Sequence, residues 1–271
     1  MTVDRCQCCL SSMEYFGAAI LLDHIPVSYY RCLGCGFVRT EDPSWLSEAY
    51  ATPIARLDVG LLSRCFRLAN VTEAVVRTMP AGGRYLDWGG GYGVLTRLLR
   101  DRGLDFRHHD AYAPNYFAIG LEGEIEETWD LVTMFEVLEH LTDPFHELER
   151  LAAAAPVLLF STQLLPEPAP LPGLWWYYAL ETGQHVSLYT LQTLQTLAAR
   201  LGRRLVSDGV HLHALCSGTR LPRAAQLIIR SPPAADLLRL MLRRLRPTPS
   251  LIDHDFQAAR RALPGVRLDP P

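Results

Sequence analysis

The chain has 271 residues, 49% of them apolar and 20% charged, with a formal net charge of −3. That length holds one α/β domain with a sizeable core plus a small extra module, and the charge excludes a generalised nucleic-acid binder with a basic face. All 26 basic residues are arginine, which removes Schiff-base, phosphate-loop-lysine and lysine-base chemistry.

The opening "MTVDRCQCC" carries no charged-then-apolar leader. The longest apolar run, Leu151 to Phe160, is about half of what a bilayer crossing needs. The expectation is a cytoplasmic protein, in which the seven cysteines are thiols or metal ligands before they are disulfides. Five of them fall in residues 1–42. Cys6-x-x-Cys9 and Cys32-x-x-Cys35 are two pairs separated by 22 residues. Each pair suits a tight turn that aims two thiolates at one point, and two such turns make the closed four-sulfur site that zinc favours. Such a site has no open coordination position, so its expected role is structural. Gly36 follows the last ligand, and Cys8 stands as a competitor of Cys9. Cys65 and Cys216 are isolated and read as small buried residues.

Residues 56–79 read as helix, broken by Pro80, Gly82 and Gly83. Short apolar strands then alternate with amphipathic helices, the pattern of an open, largely parallel sheet with helices on both faces. Strands are expected near 84–88, 105–110, 129–135, 157–162, 205–212 and 224–230. Asp143-Pro144 offers an N-cap and first-turn proline for a helix with Leu148, Leu151, Ala152 and Ala155 on one face. Thr190 caps another, lined by Leu194, Leu197, Ala198 and Leu201 and stopped by Gly202. Between them, 164–189 is a long connection rich in proline and aromatics, of the kind that carries function.

The stretch "LDWGGGYG", Leu86 to Gly93, places glycines between a strand and a helix, where the backbone turns tightly and N–H groups face a ligand. A dinucleotide fingerprint, G-x-G-x-x-G or A, would put its third small residue on Val94. The spacing that fits is D-x-G-x-G-x-G, on Asp87, Gly89, Gly91 and Gly93. Asp110 lies 17 residues past Gly93, and its two carboxylate oxygens can accept both hydroxyls of a ribose. "WDLVTMFEVLEHLTDP", Trp129 to Pro144, is a third segment in order.

These segments resemble the class I S-adenosylmethionine-dependent methyltransferases, in the branch with E-V-L-E-H-x-x-D-P. The resemblance implies a Rossmann-like seven-stranded sheet, with the glycine turn under the amino-acid part of S-adenosylmethionine and Phe135 and Glu136 bordering its pocket. It also puts Glu139 and His140 at the strand's C-terminal edge. The third strand belongs near "GLEGEIEE", 120–127. A zinc module ahead of such a domain is similar to the sugar C-methyltransferases of deoxysugar pathways and to zinc-ribbon methyltransferases of glycan and secondary-metabolite assembly. The division is then 1–42 zinc module, 43–231 methyltransferase domain, and 232–271 amphipathic helix and tail.

On the substrate side, "WWYYALETGQHVSLYT", 175–190, brings four adjacent aromatics that either stack on an acceptor or pin the loop. Glu181 stands four residues before His185, so a helical turn would pair them. His185 and His140 are the candidate bases, Glu181 and Glu139 their candidate orienters, and His108 and His109 scaffold. The leading expectation is methyl transfer to a small-molecule, sugar-containing acceptor in glycan or natural-product assembly. The alternatives are O- or N-methylation of an aromatic or polyketide acceptor, and a non-catalytic zinc-ribbon adaptor. In 235–246, Leu238, Met241, Leu242 and Leu245 oppose Arg239, Arg243 and Arg246, a pattern open to membrane-surface contact or to packing. Oligomeric state is not legible.

Overall fold

A computed structural model describes residues 4–51, 57–232 and 235–262. The N-terminal segment forms an antiparallel hairpin, β1 (Met13–Leu21) and β2 (Ile25–Cys32), extended by β3 (Val38–Thr40). A one-turn helix, α1 (Leu46–Ala49), leads to the long α2 (Leu61–Thr78), whose buried Leu68, Val71, Ala74 and Val75 repeat at helical spacing. The expected start at 56 lies outside the described residues.

From there strands and helices alternate as β4 (Tyr85–Trp88), α3 (Val94–Asp101), β5 (Phe106–His109), β6 (Leu131–Phe135), α4 (Pro144–Ala154) and β7 (Val157–Ser161). A two-residue strand, β8 (Ser187–Leu188), precedes α5 (Leu191–Arg200), β9 (Arg204–Ser207), β10 (Leu212–Cys216) and α6 (Arg223–Arg230). β5, β4, β6 and β7 pair in parallel, and β10 inserts antiparallel between β7 and β9, giving a six-stranded sheet in the order β5-β4-β6-β7-β10-β9. Every residue of β7 is buried, as a strand covered on both faces requires. The two helix caps stand as expected: Asp143 accepts from the His146 N–H at 3.2 Å with Pro144 in the first turn, and Thr190 forms a reciprocal box with Thr193.

Three expectations about the sheet are corrected. The segment 224–230 is helix, not strand: Ala225, Ile228 and Ile229 are buried while Leu227 is 66% exposed, a helical alternation that the Ile pair disguised. The single strand expected at 205–212 divides into β9 and β10 around a turn held by Asp208, which accepts three backbone N–H groups at 2.8–3.0 Å. Among the described residues the expected seven strands are six, because "GLEGEIEE" contributes only an isolated parallel bridge, His108 to Glu122, on the outer side of β5.

The second sheet, β1-β2-β3-β8, joins chain regions 150 residues apart in sequence: Val38 and Arg39 pair with Leu188 and Ser187. The long 164–189 connection thus returns to the N-terminal hairpin and buries Tyr177, Tyr178, Val186 and Leu188 against Tyr29, Val38 and Trp45.

At the C-terminus, α7 (Ala235–Leu245) and α8 (Ile252–Ala262) are held by buried charge. Glu73 on α2 is fully buried and meets Arg77 at 2.9 Å, Arg102 at 3.3 Å and Arg239 at 3.4 Å. Arg239 therefore turns inward, and Arg246, though exposed, donates to the carbonyls of Arg77 and Met79. This corrects the face drawn from the sequence: Leu238 packs on the core, while Leu237, Leu240, Met241 and Leu245 are exposed. Among the described residues, no helix is long and apolar enough to cross a membrane.

α8 has no buried residue, and a forked ion pair ties it down. Arg100, 1% exposed, donates through Nε at 2.7 Å and an Nη at 2.6 Å to the two oxygens of Asp255, and through its other Nη to Asp105 and the Phe106 carbonyl. Burial alone would raise the Asp255 carboxyl, but the bonds and charge from Arg100, His254 and Arg97 together outweigh it and hold the carboxyl well below the usual carboxylate range. A carboxyl depressed in the folded state stabilises above its unfolded pKa and loses that contribution as pH falls. Asp255→Asn should therefore cost about 2–4 kcal/mol at pH 7 in urea melts, with the gap to wild type narrowing below about pH 4.

Candidate functional site

The C-terminal edge of the parallel strands opens into a cavity of about 960 Å³. Its floor is the turn between β4 and α3. Gly89, Gly91 and Gly93 have φ of +71°, +58° and +86°, the left-handed region that glycine enters without steric cost. Gly90, which the motif leaves as a free position, is equally constrained by space: a Cβ there would lie 2.6 Å from Asp87 Oδ2 and 2.7 Å from His108 Nδ1.

Asp87 is 2% exposed and lies beneath this turn. It accepts from the hydroxyls of Thr133 on β6, at 2.8 Å, and Thr96 on α3, at 3.2 Å. Burial pushes its carboxyl up to about 6, against the lowering by those hydroxyl donors. Its role in the geometry is to fix the turn. Asp110, at the end of β5, faces the cavity, where Gly91 N–H donates to Oδ2 at 2.8 Å and the N–H groups of Tyr112 and Ala113 donate to Oδ1 at 2.8 and 2.7 Å. These bonds hold the carboxylate toward the opening with lone-pair capacity remaining.

Phe135 and Glu136 form the adjoining wall. Glu136 has φ +54°, and Ser161 on β7 stabilises that conformation from both sides: its Oγ accepts the Glu136 N–H at 3.0 Å and donates to Oε1 at 2.5 Å. Asp87, Gly89, Gly91, Asp110, Phe135 and Glu136, expected around one ligand, line a single cavity. Gly93 instead begins α3, where a Cβ would meet Asn115 Oδ1 at 2.8 Å and Ala118 at 2.9 Å.

The same cavity continues to His140 and His185, whose rings meet edge-on with centroids 4.9 Å apart. His185 Nδ1 lies 2.7 Å from the Tyr177 carbonyl oxygen, which can only accept, so the neutral ring carries its proton on Nδ1 and its lone pair on Nε2. His140 Nδ1 lies 3.0 Å from the Tyr50 hydroxyl. Burial lowers the pKa values to about 4 for His185 and about 3 for His140, leaving both rings neutral at pH 7.

The orienting carboxylates are arranged otherwise than expected. Residues 180–182 are turn and 183–186 irregular, so Glu181 and His185 share no helical face; Glu181 sits exposed on the cavity wall and Tyr177 orients the imidazole. Glu139 is fully buried and accepts from the Tyr177 hydroxyl at 2.6 Å. Burial, with the nearby charge of Glu136, raises its carboxyl well above the ordinary range. The aromatic run divides between its two readings: Trp176 lines the cavity and is 74% exposed, whereas Tyr177 and Tyr178 are buried and pin the loop.

Sequence reading missed Tyr50, Tyr112 and the Arg64–Asp58 pair, all in the cavity wall. Tyr50 stacks on Tyr112 at 4.6 Å, and Arg64 grips Asp58 through two bonds of 3.1 and 2.6 Å. None lies in a glycine or acidic motif. His109, read as scaffold, also lines the cavity.

Apart from this cavity, the sulfurs of Cys6, Cys9, Cys32 and Cys35 lie within 4.8 Å of one another. Cys6 and Cys35 are 3.7 Å apart and Cys9 and Cys32 3.2 Å, where a tetrahedron with 2.3 Å bonds has edges of about 3.8 Å. The N–H groups of Gly34 and Cys35 point at Cys32 Sγ from 3.3 and 3.4 Å, the turn that aims a thiolate. The four residues fit a zinc ion. Cys8 is buried outside the group, its carbonyl held by Arg200 at 2.8 Å.

Gly90→Ala should lower the thermal midpoint by an amount equivalent to about 1–3 kcal/mol, because the methyl displaces a buried carboxylate that also anchors β6 and α3. An unchanged midpoint would show that the turn has room to relax.

Several solved structures are similar to part of the chain. CalO1, a methyltransferase in calicheamicin biosynthesis, is 17% identical, with 64% of this chain and 61% of that one covered and a TM-score of 0.43. Human N-acetylserotonin methyltransferase is 19% identical, covering 56% and 52% at a TM-score of 0.42. The mitomycin 7-O-methyltransferase MmcR is 18% identical, covering 65% and 61% at 0.41. The chain thus spans less than two thirds of the length of each. No curated protein matches it. Residues 64–208, more than half of the chain and including the glycine turn, Asp110, His140 and His185, match the family described as a methyltransferase domain, and the protein belongs to that family.

Proposed function

We propose that the protein transfers a methyl group from S-adenosylmethionine to a small-molecule acceptor. The observation that carries this reading is the continuity of one cavity from the glycine turn and Asp110 to the paired histidines. When bound, S-adenosylmethionine supplies an electrophilic methyl on a sulfonium. The chain would hold it with the turn at Gly89–Gly91, with Asp110 accepting from its ribose hydroxyls and Phe135 and Glu136 closing the side.

On the acceptor side, Nε2 of His185 takes the proton from a hydroxyl or from a carbon beside a carbonyl. The Tyr177 carbonyl stabilises the imidazolium through Nδ1–H. His140, locked to Tyr50, shapes the wall beside it. Positioning nucleophile and methyl in line supplies most of the acceleration, and the base about 10²–10⁴-fold. The preferred acceptor is a sugar or sugar-containing molecule, whose apolar face suits Trp176 and whose hydroxyls suit Tyr50 and Gln184. The Tyr50–Tyr112 stack favours a second reading, a flat aromatic or polyketide acceptor. The four-cysteine group is proposed as a structural zinc site bracing the hairpin, with membrane contact through the exposed leucines of α7 a further proposal.

Calorimetric titration with S-adenosylhomocysteine should show binding that Asp110→Asn weakens about 10- to 100-fold, through lost charge-assisted bonds; NAD should not bind. No heat with S-adenosylhomocysteine would end the methyltransferase reading.

With an acceptor in hand, His185→Ala should lower kcat about 10²–10⁴-fold. In the wild type the base must be unprotonated, so kcat/KM should be flat at neutral pH and fall as pH drops through about 4. An unchanged profile in the variant would remove His185 as base.

A further inference from the structure

Glu139 presents an anomaly that methyl transfer does not explain. Its Oε1 is satisfied by Tyr177, yet Oε2 has no hydrogen-bond partner in a side chain of 0% exposure. An orphaned carboxylate oxygen at that depth is costly. Its neighbours explain what it suits. The ligating atoms of Glu139, His140 and His185 lie within 4.8 Å of one another.

Nδ1 is engaged in both rings, by the Tyr177 carbonyl at 2.7 Å in His185 and by the Tyr50 hydroxyl at 3.0 Å in His140, and His140 also reaches the Gln184 backbone. Nε2 of His185 is the open donor, and a metal would take His140 in place of one of its present hydrogen bonds. A ring nitrogen fixed by a carbonyl or hydroxyl so that the other faces inward is the usual support of a metal-bound imidazole, and Tyr177 on Oε1 supports the carboxylate in the same way. Donors around a metal with bonds of about 2.1 Å stand about 3 to 3.4 Å apart, inside the 4.8 Å that bounds the present atoms, so loading would draw the three side chains together. The cavity beyond His140 and His185 leaves open positions for solvent or acceptor.

We infer that Glu139, His140 and His185 form a binding site for a divalent first-row transition ion, separate from the four-cysteine group and with the softness of two imidazoles and one carboxylate. Occupancy ties up Nε2 of His185, the lone pair that receives the acceptor's proton, so the metal-bound protein is an inhibited form. The site rests on geometry alone; the inhibition rests on the methyl-transfer reading.

The test is titration of full-length protein carrying one equivalent of zinc with cobalt(II) chloride, followed by visible absorbance and metal analysis, with melting and S-adenosylhomocysteine titration on every variant to verify folding. The expected result is one further equivalent of cobalt with weak d–d bands and no sulfur-to-cobalt charge transfer, bound at least tenfold more weakly by folded His185→Ala and Glu139→Gln. Turnover should fall as this site fills and recover with chelator. Absence of the extra equivalent, thiolate-type bands alone, or binding indifferent to both substitutions would overturn the site. Cobalt bound as described with turnover unchanged would overturn the inhibition and His185 as base. Cobalt binding without S-adenosylhomocysteine binding would keep the site and refute the methyl-transfer reading.

Discussion

The buried carboxylate of Asp87 is the constraint on which the cavity depends. It lies in β4, and through Thr133 and Thr96 it joins the neighbouring strand to the helix that leaves the glycine turn. Because its oxygen occupies the space a side chain at position 90 would need, the backbone must pass close above it. The N–H of Gly91 then falls within reach of Asp110, so one buried group sets both the turn and the orientation of the exposed carboxylate.

Tyr177 does the equivalent work on the far side of the cavity. Its hydroxyl donates to Glu139 and receives the Gln163 N–H at 3.1 Å, while its carbonyl fixes His185. A residue of the long connection thereby links the edge of the sheet to the imidazole in the cavity. Burial of the ring supports these bonds, since water cannot compete for the hydroxyl at 2% exposure. Trp176, one residue earlier, stays exposed on the cavity wall.

The two halves of the molecule meet through the same connection. After Tyr177 and Tyr178 pack against the N-terminal hairpin, β8 joins β3, and α5 begins at Thr190, whose hydroxyl donates to the Cys35 carbonyl at 2.7 Å. The cysteine group is therefore continuous with the helix cap beside it. The four-cysteine group thus sits beside the end of the connection that carries His185, outside the cavity.

Much of this was legible in order along the chain. The apolar strand runs, the Asp143 and Thr190 caps, the glycine turn and the paired cysteines all depend on residues within a few positions of one another, where backbone geometry and side-chain chemistry act locally. The segment 224–230 failed because an Ile pair satisfies either period until burial decides between them, and the seventh strand failed because "GLEGEIEE" is too polar and glycine-rich to sustain more than one bridge. The Glu181–His185 pairing failed for a related reason: spacing implies contact only when the segment is helical. What only the tertiary structure decided are the contacts between residues distant in sequence: Tyr50 with His140, Tyr177 with Glu139, and β8 with β3. Each depends on where a long connection closes, and that is set by the apolar surface it covers rather than by any local pattern.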